Sequence, residues 1–525
     1  MNICISHAAS PKTSSSSSSS SSEGYQISFT LIFLSHKAEK GRNSNPISNK
    51  KFYEQLAKMK VQIHKQNIDI DWTNFSNLGY LYFIMLLLLL RPTVSLSTIK
   101  YIPGFSGSLP FKLETGYIGV DENQDVQLFY YFIESEGNPS EDPLVLWLTG
   151  GPGCSAFSGL AFEIGPIRFD IVKYNGSLPT MALHPHSWTK ALDSPIQGAS
   201  KVPRLETQSL PNQSYEFLRK WLLRHPKFIR NPLYVAGDSH SGRIVPIISS
   251  KISAGIEVGH EPPINLKGYV LGNPATDSKF DDNSKVPFAH RMALISDELY
   301  QSAKRNCRGE YVEVDKSNVQ CAKDLKAIYE CTKRVNHAHI LEKKCTPISR
   351  KLNKEDARYY RYLLEEYEES LFMPVDPHEC RYYNNFLCNK WANDISVQKA
   401  LRVRMGTIKE WIRCNRSLDY EHDAKSLLSY HLRLNKRGYR ALIYSGDHDM
   451  AIPYLGTQSW IKALNFSVVD EWRPWLVDGQ VAGYSREYTN NFTFATVKGA
   501  GHTAPEYQPK ECLAMFARWI SQEPL

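Results

Sequence analysis

The chain has 525 residues, of which 42% are hydrophobic, 12% aromatic and 22% charged; these proportions fill one large core or two ordinary ones and exclude wholesale disorder and a multi-span membrane protein. The formal net charge of +8 is unevenly spread: residues 1–97, with ten Lys/Arg against five Asp/Glu, hold +5, and the rest of the chain holds +3. A nucleic-acid partner needs massed cations to displace phosphate counterions, and the chain has no Lys/Arg-rich run beyond short surface stretches, so that class is set aside.

Nine consecutive serines, Ser14 to Ser22, open a polar stretch without a sustained 3.6 or 2 period, so residues 1–77 are expected to be disordered or a misassigned extension. LGYLYFIMLLLLL, Leu78 to Leu90, followed by Arg91-Pro92 and the small Ser95 and Ser97, reads as a signal peptide over 78–97. Its 13 apolar residues fall short of the roughly 20 a bilayer needs, so no stable membrane span is expected; an uncleaved anchor or a buried strand is the competing reading. Met59, with Lys60 and Lys65 as a basic flank, is the expected true start, and the mature chain would begin near Thr98. Nine of the ten cysteines lie beyond that point without CxxC spacing, which favours disulfides, with one left over, over a metal site. Sequons at Asn175, Asn212, Asn415, Asn465 and Asn491 are candidate glycosylation sites, whereas Asn138 is followed by proline. A secreted or vacuolar location is expected.

In chain order, the first chemical segment is PLVLWLT, Pro143 to Thr149, an apolar strand that runs into GGPGCSAFSG. Glycines there let backbone N–H groups face a developing negative charge, which makes Gly151 a candidate oxyanion donor. No Lys–Ser/Thr pair follows as a phosphate loop requires, and no GxGxxG is present, so no cofactor is expected. Next, NPLYVAGDSHSGRIVPIISSKI reads as a strand over Leu233–Ala236, a sharp turn with Ser239 at its apex, and a helix from Ile244. Such an elbow exposes a serine hydroxyl and leaves the His240 amide for an oxyanion, although Ser241 stands where the strict GxSxG string has its second glycine. RALIYSGDHDMAIP then presents Asp447, His448 and Asp449 after a strand, and NFTFATVKGAGHTAPEYQP brings out His502 on a glycine loop. Each alone is an ordinary polar turn, but Ser, Asp and His in this order, each after a strand, is the α/β-hydrolase arrangement. It predicts an α/β fold with a doubly wound, mostly parallel sheet over residues 98–525. The 210 residues from Ser239 to Asp449 are too many for the sheet alone, so a largely helical, disulfide-braced cap insertion is expected at about 280–430. Within it the charged stretch Lys351–Ser370 is expected to be an exposed helix, with a processed linker as the alternative.

The segments WLTGGPGCSAFSGLAFEIGP, EFLRKWLLRHPKF with NPLYVAGDSHSG, PFAHRMALISDELY, YSGDHDMAIPYLGTQSWI and VDGQVAGYSREYTNNFTFATVKGAGHTAPEYQPKEC together resemble the plant serine carboxypeptidase-like family, from about Ile102 to the C-terminus. The resemblance implies Ser239 as nucleophile, Asp449 rather than Asp447 as the acid, His502 as the base, and the amides of Gly151 and His240 as the oxyanion hole. It implies a Cys154–Cys414 disulfide and cap bridges among the cysteines from Cys307 to Cys380. Carboxypeptidases of the family resemble one another in having Asn before GGPG and Glu before the nucleophile; here these are Thr149 and Asp238, and with Gly150, Glu163 and Arg413 they are the expected substrate-binding residues. The substrate is then a peptide, whose C-terminal residue is released by hydrolysis, or a small acyl ester. The GDS spelling, WLTGGPG and VDGQVAGY look more like the branch that includes acyltransferases using glucose esters, and both reactions pass through an acyl-serine. A binding module without turnover is the third class. One departure stands out: where the family runs an apolar strand and a Gly-rich turn after SWTK, this chain reads ALDSPIQGASKVPRLETQSLPNQ. A central strand is therefore expected to be missing between Lys190 and Gln213, through a damaged product or a misjoined exon, and an inactive homologue would be the consequence.

Overall fold

Runs of β-branched and aromatic residues form the frame, because such side chains pack well on a pleated surface. The computed structural model describes residues 98–121, 126–191, 194–199, 205–206, 209–344, 381–406, 410–415, 420–421 and 424–525. The expected N-terminal extension, start codon and signal peptide, the stretch Lys351–Ser370, and Cys345 and Cys380 lie outside the described residues.

Eleven strands make one sheet: β1 (Thr98–Ile99), β2 (Leu113–Gly119), β3 (Gln127–Ile133), β4 (Leu144–Leu148), β5 (Ser194–Ala199), β6 (Leu233–Asp238), β7 (Leu266–Gly272), β8 (Arg440–Gly446), β9 (Val468–Val477), β10 (Gln480–Tyr488) and β11 (Phe492–Val497). Their order is β1-β2-β3-β5-β4-β6-β7-β8-β11-β10-β9. From β5 to β11 every neighbouring pair is parallel, and antiparallel strands flank this centre on both sides. Parallel central strands point all their carboxyl ends to one edge, and that is where such sheets carry their sites.

Alternation along each central strand sends residues to two cores. On one face Val145, Trp147, Tyr234, Ala236, Leu442 and Tyr444 pack with Trp188 and with Met515, Phe516 and Trp519 of a C-terminal helix, Pro509–Ile520. On the other, Leu146, Leu148, Leu233, Val235, Ala441 and Ile443 pack under the helix α1 (Ser209–Arg224) and the helix α2 (Val245–Glu257). In α1 the buried Leu210, Ser214, Phe217, Leu218, Trp221 and Leu222 follow the three-and-four spacing of one helical face.

The expected loss of a central strand after Lys190 is corrected by the fold. Ser194–Ala199, within the stretch expected to lack a strand, occupies the slot between β3 and β4. The cause lies in β3, whose edge would otherwise leave a row of ladder groups without partners; β5 pairs with it over six residues, from Ile133–Ser194 to Leu128–Ala199. Towards β4 a single registered pair, Trp147–Ile196, is made.

Between β7 and β8 the described residues are mainly helical, including α3 (Asp297–Cys307), α4 (Val319–Thr332) and α5 (Arg381–Ala392), as expected for the cap. A disulfide joins Cys307 to Cys321 and so fastens α3 to the start of α4. Among the described residues Cys331 and Cys512 form no disulfide. No helix of the described residues is long and apolar enough to cross a membrane.

Candidate active site

At the carboxyl end of β6 the backbone turns sharply into α2. Ser239 sits in the left-handed region, φ +54°, a strained place for a residue with a Cβ, and Asp238 before it is extended. The surroundings hold the turn: Ser241 Oγ donates to the Leu148 carbonyl at 2.8 Å, and the Ala275 amide donates to the Ser239 carbonyl at 2.9 Å. Two glycines are forced by close approach. A Cβ on Gly237 would lie 2.4 Å from the Leu148 carbonyl oxygen, and one on Gly242 would lie 2.6 Å from that of Ala275. The missing second glycine of the strict motif is thus accommodated, because Ser241 is the tie to β4 and the close contact falls at Gly242.

His502 reaches this turn from the loop after β11. The Ser239 hydroxyl and His502 Nε2 are 2.7 Å apart, and His502 Nδ1 donates to Asp449 Oδ2 at 2.7 Å. Asp449 is fully buried and also accepts from Asn273 Nδ2 at 2.8 Å and from the Ala451 amide at 2.7 Å. Asp447 instead accepts from His448 Nδ1 at 2.6 Å and from the Gly499 amide at 2.8 Å, so of the two aspartates Asp449 is the one on the imidazole. Burial by itself would pull the His502 imidazole down; Asp449 outweighs that, Asp238 adds to it, and the net result is a pKa above the ordinary histidine value.

The turn after β4 lies against the serine. A Cβ on Gly150 would stand 2.6 Å from Ser239 Cβ and 3.1 Å from its Oγ, so only glycine fits, and Gly151 follows directly. His240 follows the serine and is buried. A Cys154–Cys414 disulfide closes the far side of this turn, where the Ser155 amide donates to the Arg413 carbonyl at 2.6 Å and the Asn415 amide to that of Gly153 at 2.5 Å. Arg413 Nε donates to Ser158 Oγ at 3.0 Å, and the guanidinium lies 5.7 Å from the centre of the Phe162 ring.

Two buried acids lie beside the serine. Asp238 Oδ1 accepts the Gly150 amide at 2.8 Å. Glu163 Oε2 accepts from Trp147 Nε1 at 2.9 Å and from Thr149 Oγ1 at 3.4 Å, while the buried Oε1 has no partner among the described residues. Burial raises the Glu163 carboxyl well above the usual range; the charge of Asp238 adds to this and Arg413 opposes it. Asp238 is also raised by burial, against the pull of His502, the Gly150 amide and Arg413. Of the ten expected catalytic, oxyanion-hole and substrate-binding residues, eight lie on the carboxyl edge of the sheet or on the turns that adjoin it, while Glu163 ends a short helix, Gly159–Glu163, and Arg413 comes from the segment that the Cys154–Cys414 disulfide ties to the turn after β4.

Asn273 was missed by sequence reasoning. It sits in VLGNP at the end of β7, with its Nδ2 on Asp449 and its Oδ1 accepting the Gly446 amide at 3.2 Å. A polar amide straight after an apolar parallel strand is the signal that could have found it. Of the sequon asparagines, Asn175, Asn212, Asn465 and Asn491 are exposed and Asn415 is half-buried. Among the described residues no group of His, Cys, Asp and Glu is arranged to hold a metal ion.

A parallel sheet with a strained serine turn after one strand, an acid after a later one and a histidine loop after the last defines an α/β-hydrolase. The fold agrees with a solved prohormone-processing carboxypeptidase from Saccharomyces cerevisiae, which aligns with 78% of this chain and 92% of its own at a TM-score of 0.60 and 17% identity. The serine carboxypeptidase family model matches residues 103–522, and the chain belongs to that family of serine-type hydrolases. Among its relatives, serine carboxypeptidase-like 7 of Arabidopsis thaliana is 48% identical over 452 residues, covering 84% of this chain and 97% of the relative. Serine carboxypeptidase-like 2 of the same plant is 49% identical over 442 residues, covering 82% and 94%.

Proposed function

We propose that the chain works through an acyl-enzyme on Ser239, with His502 as the base, Asp449 as its orienting acid, and the amides of Gly151 and His240 as the oxyanion hole. The observation that carries this reading is the unbroken chain Ser239–His502–Asp449, with both links at 2.7 Å. The Ser239 proton passes to His502 Nε2 as Oγ bonds the substrate carbonyl carbon. When the tetrahedral adduct collapses, the bond to the leaving amine or alcohol breaks and His502 returns the proton to that group. Water then repeats the sequence on the acyl-serine and releases the acid.

The first reaction we assign is release of a C-terminal residue from a peptide, with Glu163 and Asp238 beside the serine as protonated acids that meet the free carboxylate and Arg413 as a further partner. Support comes from Glu163 Oε1, a buried oxygen with no partner among the described residues, which as the acid O–H can donate to an incoming carboxylate. A second reading, transfer of an acyl group from an activated ester such as a glucose ester to an acceptor alcohol, is favoured by a separate observation. Asp238 Oδ1 is engaged by the Gly150 amide and Thr149 Oγ1 by Glu163, so two of the groups needed for carboxylate recognition are already occupied.

The test uses one preparation at mildly acidic pH: labelling by a fluorophosphonate, then kcat/KM for a blocked dipeptide and for an activated acyl ester. Labelling is expected at Ser239 alone and is lost in Ser239→Ala; label on Ser155 or Ser241 overturns the assignment. With its carboxylate-binding groups partly occupied, the enzyme is expected to turn over the ester faster than the dipeptide, and the reverse order excludes the second reading. We further propose export, to the cell exterior or the vacuole, supported by the two disulfides and the four exposed sequons.

A further inference from the structure

The cap sends a short segment, His337-Ala338-His339-Ile340, back to the loops that carry the acid and the base. Its backbone takes up both of them: the His502 amide donates to the Ala338 carbonyl at 2.7 Å, and the Met450 amide donates to that of His337 at 2.8 Å. The Ile340 amide donates in turn to the His448 carbonyl at 3.1 Å. Gly501 permits this approach, since a Cβ there would lie 2.3 Å from the Ala338 oxygen and 2.8 Å from His339 Cβ.

The side chains complete a bracket around a single residue, Gly499, through its carbonyl on one side and its amide on the other. His339 Nε2 lies 3.1 Å from the Gly499 carbonyl, and because a carbonyl only accepts, that nitrogen is the donor. His339 Nδ1 accepts the Leu341 amide at 3.3 Å, which fixes the neutral tautomer with the proton on Nε2. Opposite, the Gly499 amide is held by Asp447, whose same oxygen takes His448 Nδ1, and the two imidazoles stack at 5.5 Å and 17°. Gly499 is three residues before His502 and has φ +74°, in the left-handed region that favours glycine. The remaining hold on its carbonyl is Gln508 Nε2, at 3.4 Å.

We propose that His339 is a positioning residue for His502: with Asp447 and His448 it grips Gly499 by its carbonyl and its amide and so sets where the imidazole sits between Asp449 and Ser239. The inference rests on the acyl-enzyme reading above. It makes a cap residue part of the support of the base, and it gives the second histidine-aspartate pair, Asp447–His448, a task distinct from proton transfer. Glu342, His448, Arg381 and the Tyr507 ring are the charged, titratable and aromatic groups that face His339, and burial leaves its imidazole below the ordinary histidine pKa, in the direction that favours the neutral tautomer the hydrogen bonds require.

The test compares His339→Leu, which has no donor, with His339→Gln, whose amide can reach the same carbonyl. Inactivation by a fluorophosphonate, kcat and KM on an activated ester, and the acid limb of kcat/KM are measured on each. Leu is expected to lower kcat about 10- to 100-fold with KM within about twofold, the scale expected when a reacting group is misplaced by a fraction of an ångström to one ångström. Its acid limb should move to lower pH, because a displaced imidazole couples less to Asp449; Gln should restore kcat to within about threefold and leave the limb in place. Equal losses in the two variants, or a lower Tm with unchanged kcat and limb, overturn the proposal. If His339→Leu does not fold, Asp447→Ala reads the other half of the bracket, and an unchanged kcat there overturns it as well. A wild-type protein that the fluorophosphonate does not label would instead refute the acyl-enzyme reading itself.

Discussion

A buried imidazole on its own loses its proton easily; His502 holds it more tightly because the Asp449 carboxylate is 2.7 Å away. As a base it must be neutral, so kcat/KM should fall as pH drops through its raised pKa. Asp449→Asn removes the main group that does the raising and leaves burial opposed only by the smaller pull of Asp238. The acid limb should then move to lower pH while kcat falls by about 10³- to 10⁴-fold, because the tautomer is no longer held. Asp447→Asn keeps an oxygen for both of its donors and should stay within about tenfold of the wild type. A larger loss at Asp447, or a limb that moves up in the Asp449 variant, would show the roles reversed. Asn273 belongs to the same ledger of contacts: it donates to Asp449 and accepts from Gly446, so it holds the acid in place without approaching the serine.

At the scale of elements, β5 is the informative strand. Its ladder with β3 runs over six residues, whereas its registered contact with β4 is one pair, so it depends mainly on one neighbour. Hydrogen exchange should find the amides of β5 that face β3 protected to a degree comparable with β3 itself; exchange at the rate of an unstructured peptide would mean the slot is empty. This strand also marks where sequence reading failed. SPIQGA carries a proline and a glycine and lacks the apolar run of PLVLWLT or PLYVAG, so nothing local marks it as a central strand. It forms because β3 and β4 leave a gap that a later stretch of the chain can fill, and that is tertiary information. The strand-to-turn segments that carry Ser239, Asp449 and His502 were legible for the opposite reason: each pairs a strong strand signal with glycines that only a tight turn requires. The bracket of His337–Ile340 was illegible, since no period or motif links that segment to a loop 160 residues further along the chain.

Over the whole molecule, several carboxyl groups are buried with incomplete partners, and this sets how stability responds to pH. Burial pushes Asp281 up to about 7, against the pull of the Thr276 and Asp277 amides that it accepts at 2.7 and 3.0 Å and of Arg243. Glu163 is raised in the same direction, by burial and by Asp238. A carboxyl whose pKa is higher in the folded state holds its proton there at a pH where the unfolded chain has lost it. Its contribution is therefore complete below the unfolded value of about 4 and is lost as pH rises through the folded value. For Asp281 that window runs from about 4 to about 7. Asp281→Asn keeps an oxygen for both amides and has no charge to bury, and Glu163→Gln does the same for its contacts with Trp147 and Thr149. Asp281→Asn should gain Tm relative to the wild type as pH is raised across this window and Glu163→Gln should gain in the same direction, with the double variant gaining about the sum, because the two groups lie on different elements and share no partner. Thermal unfolding followed at pH 4.5, 6 and 7.5 measures the difference. A Tm offset between variant and wild type that does not change with pH would show that the two carboxyls are ionised to the same extent in the folded and unfolded chain.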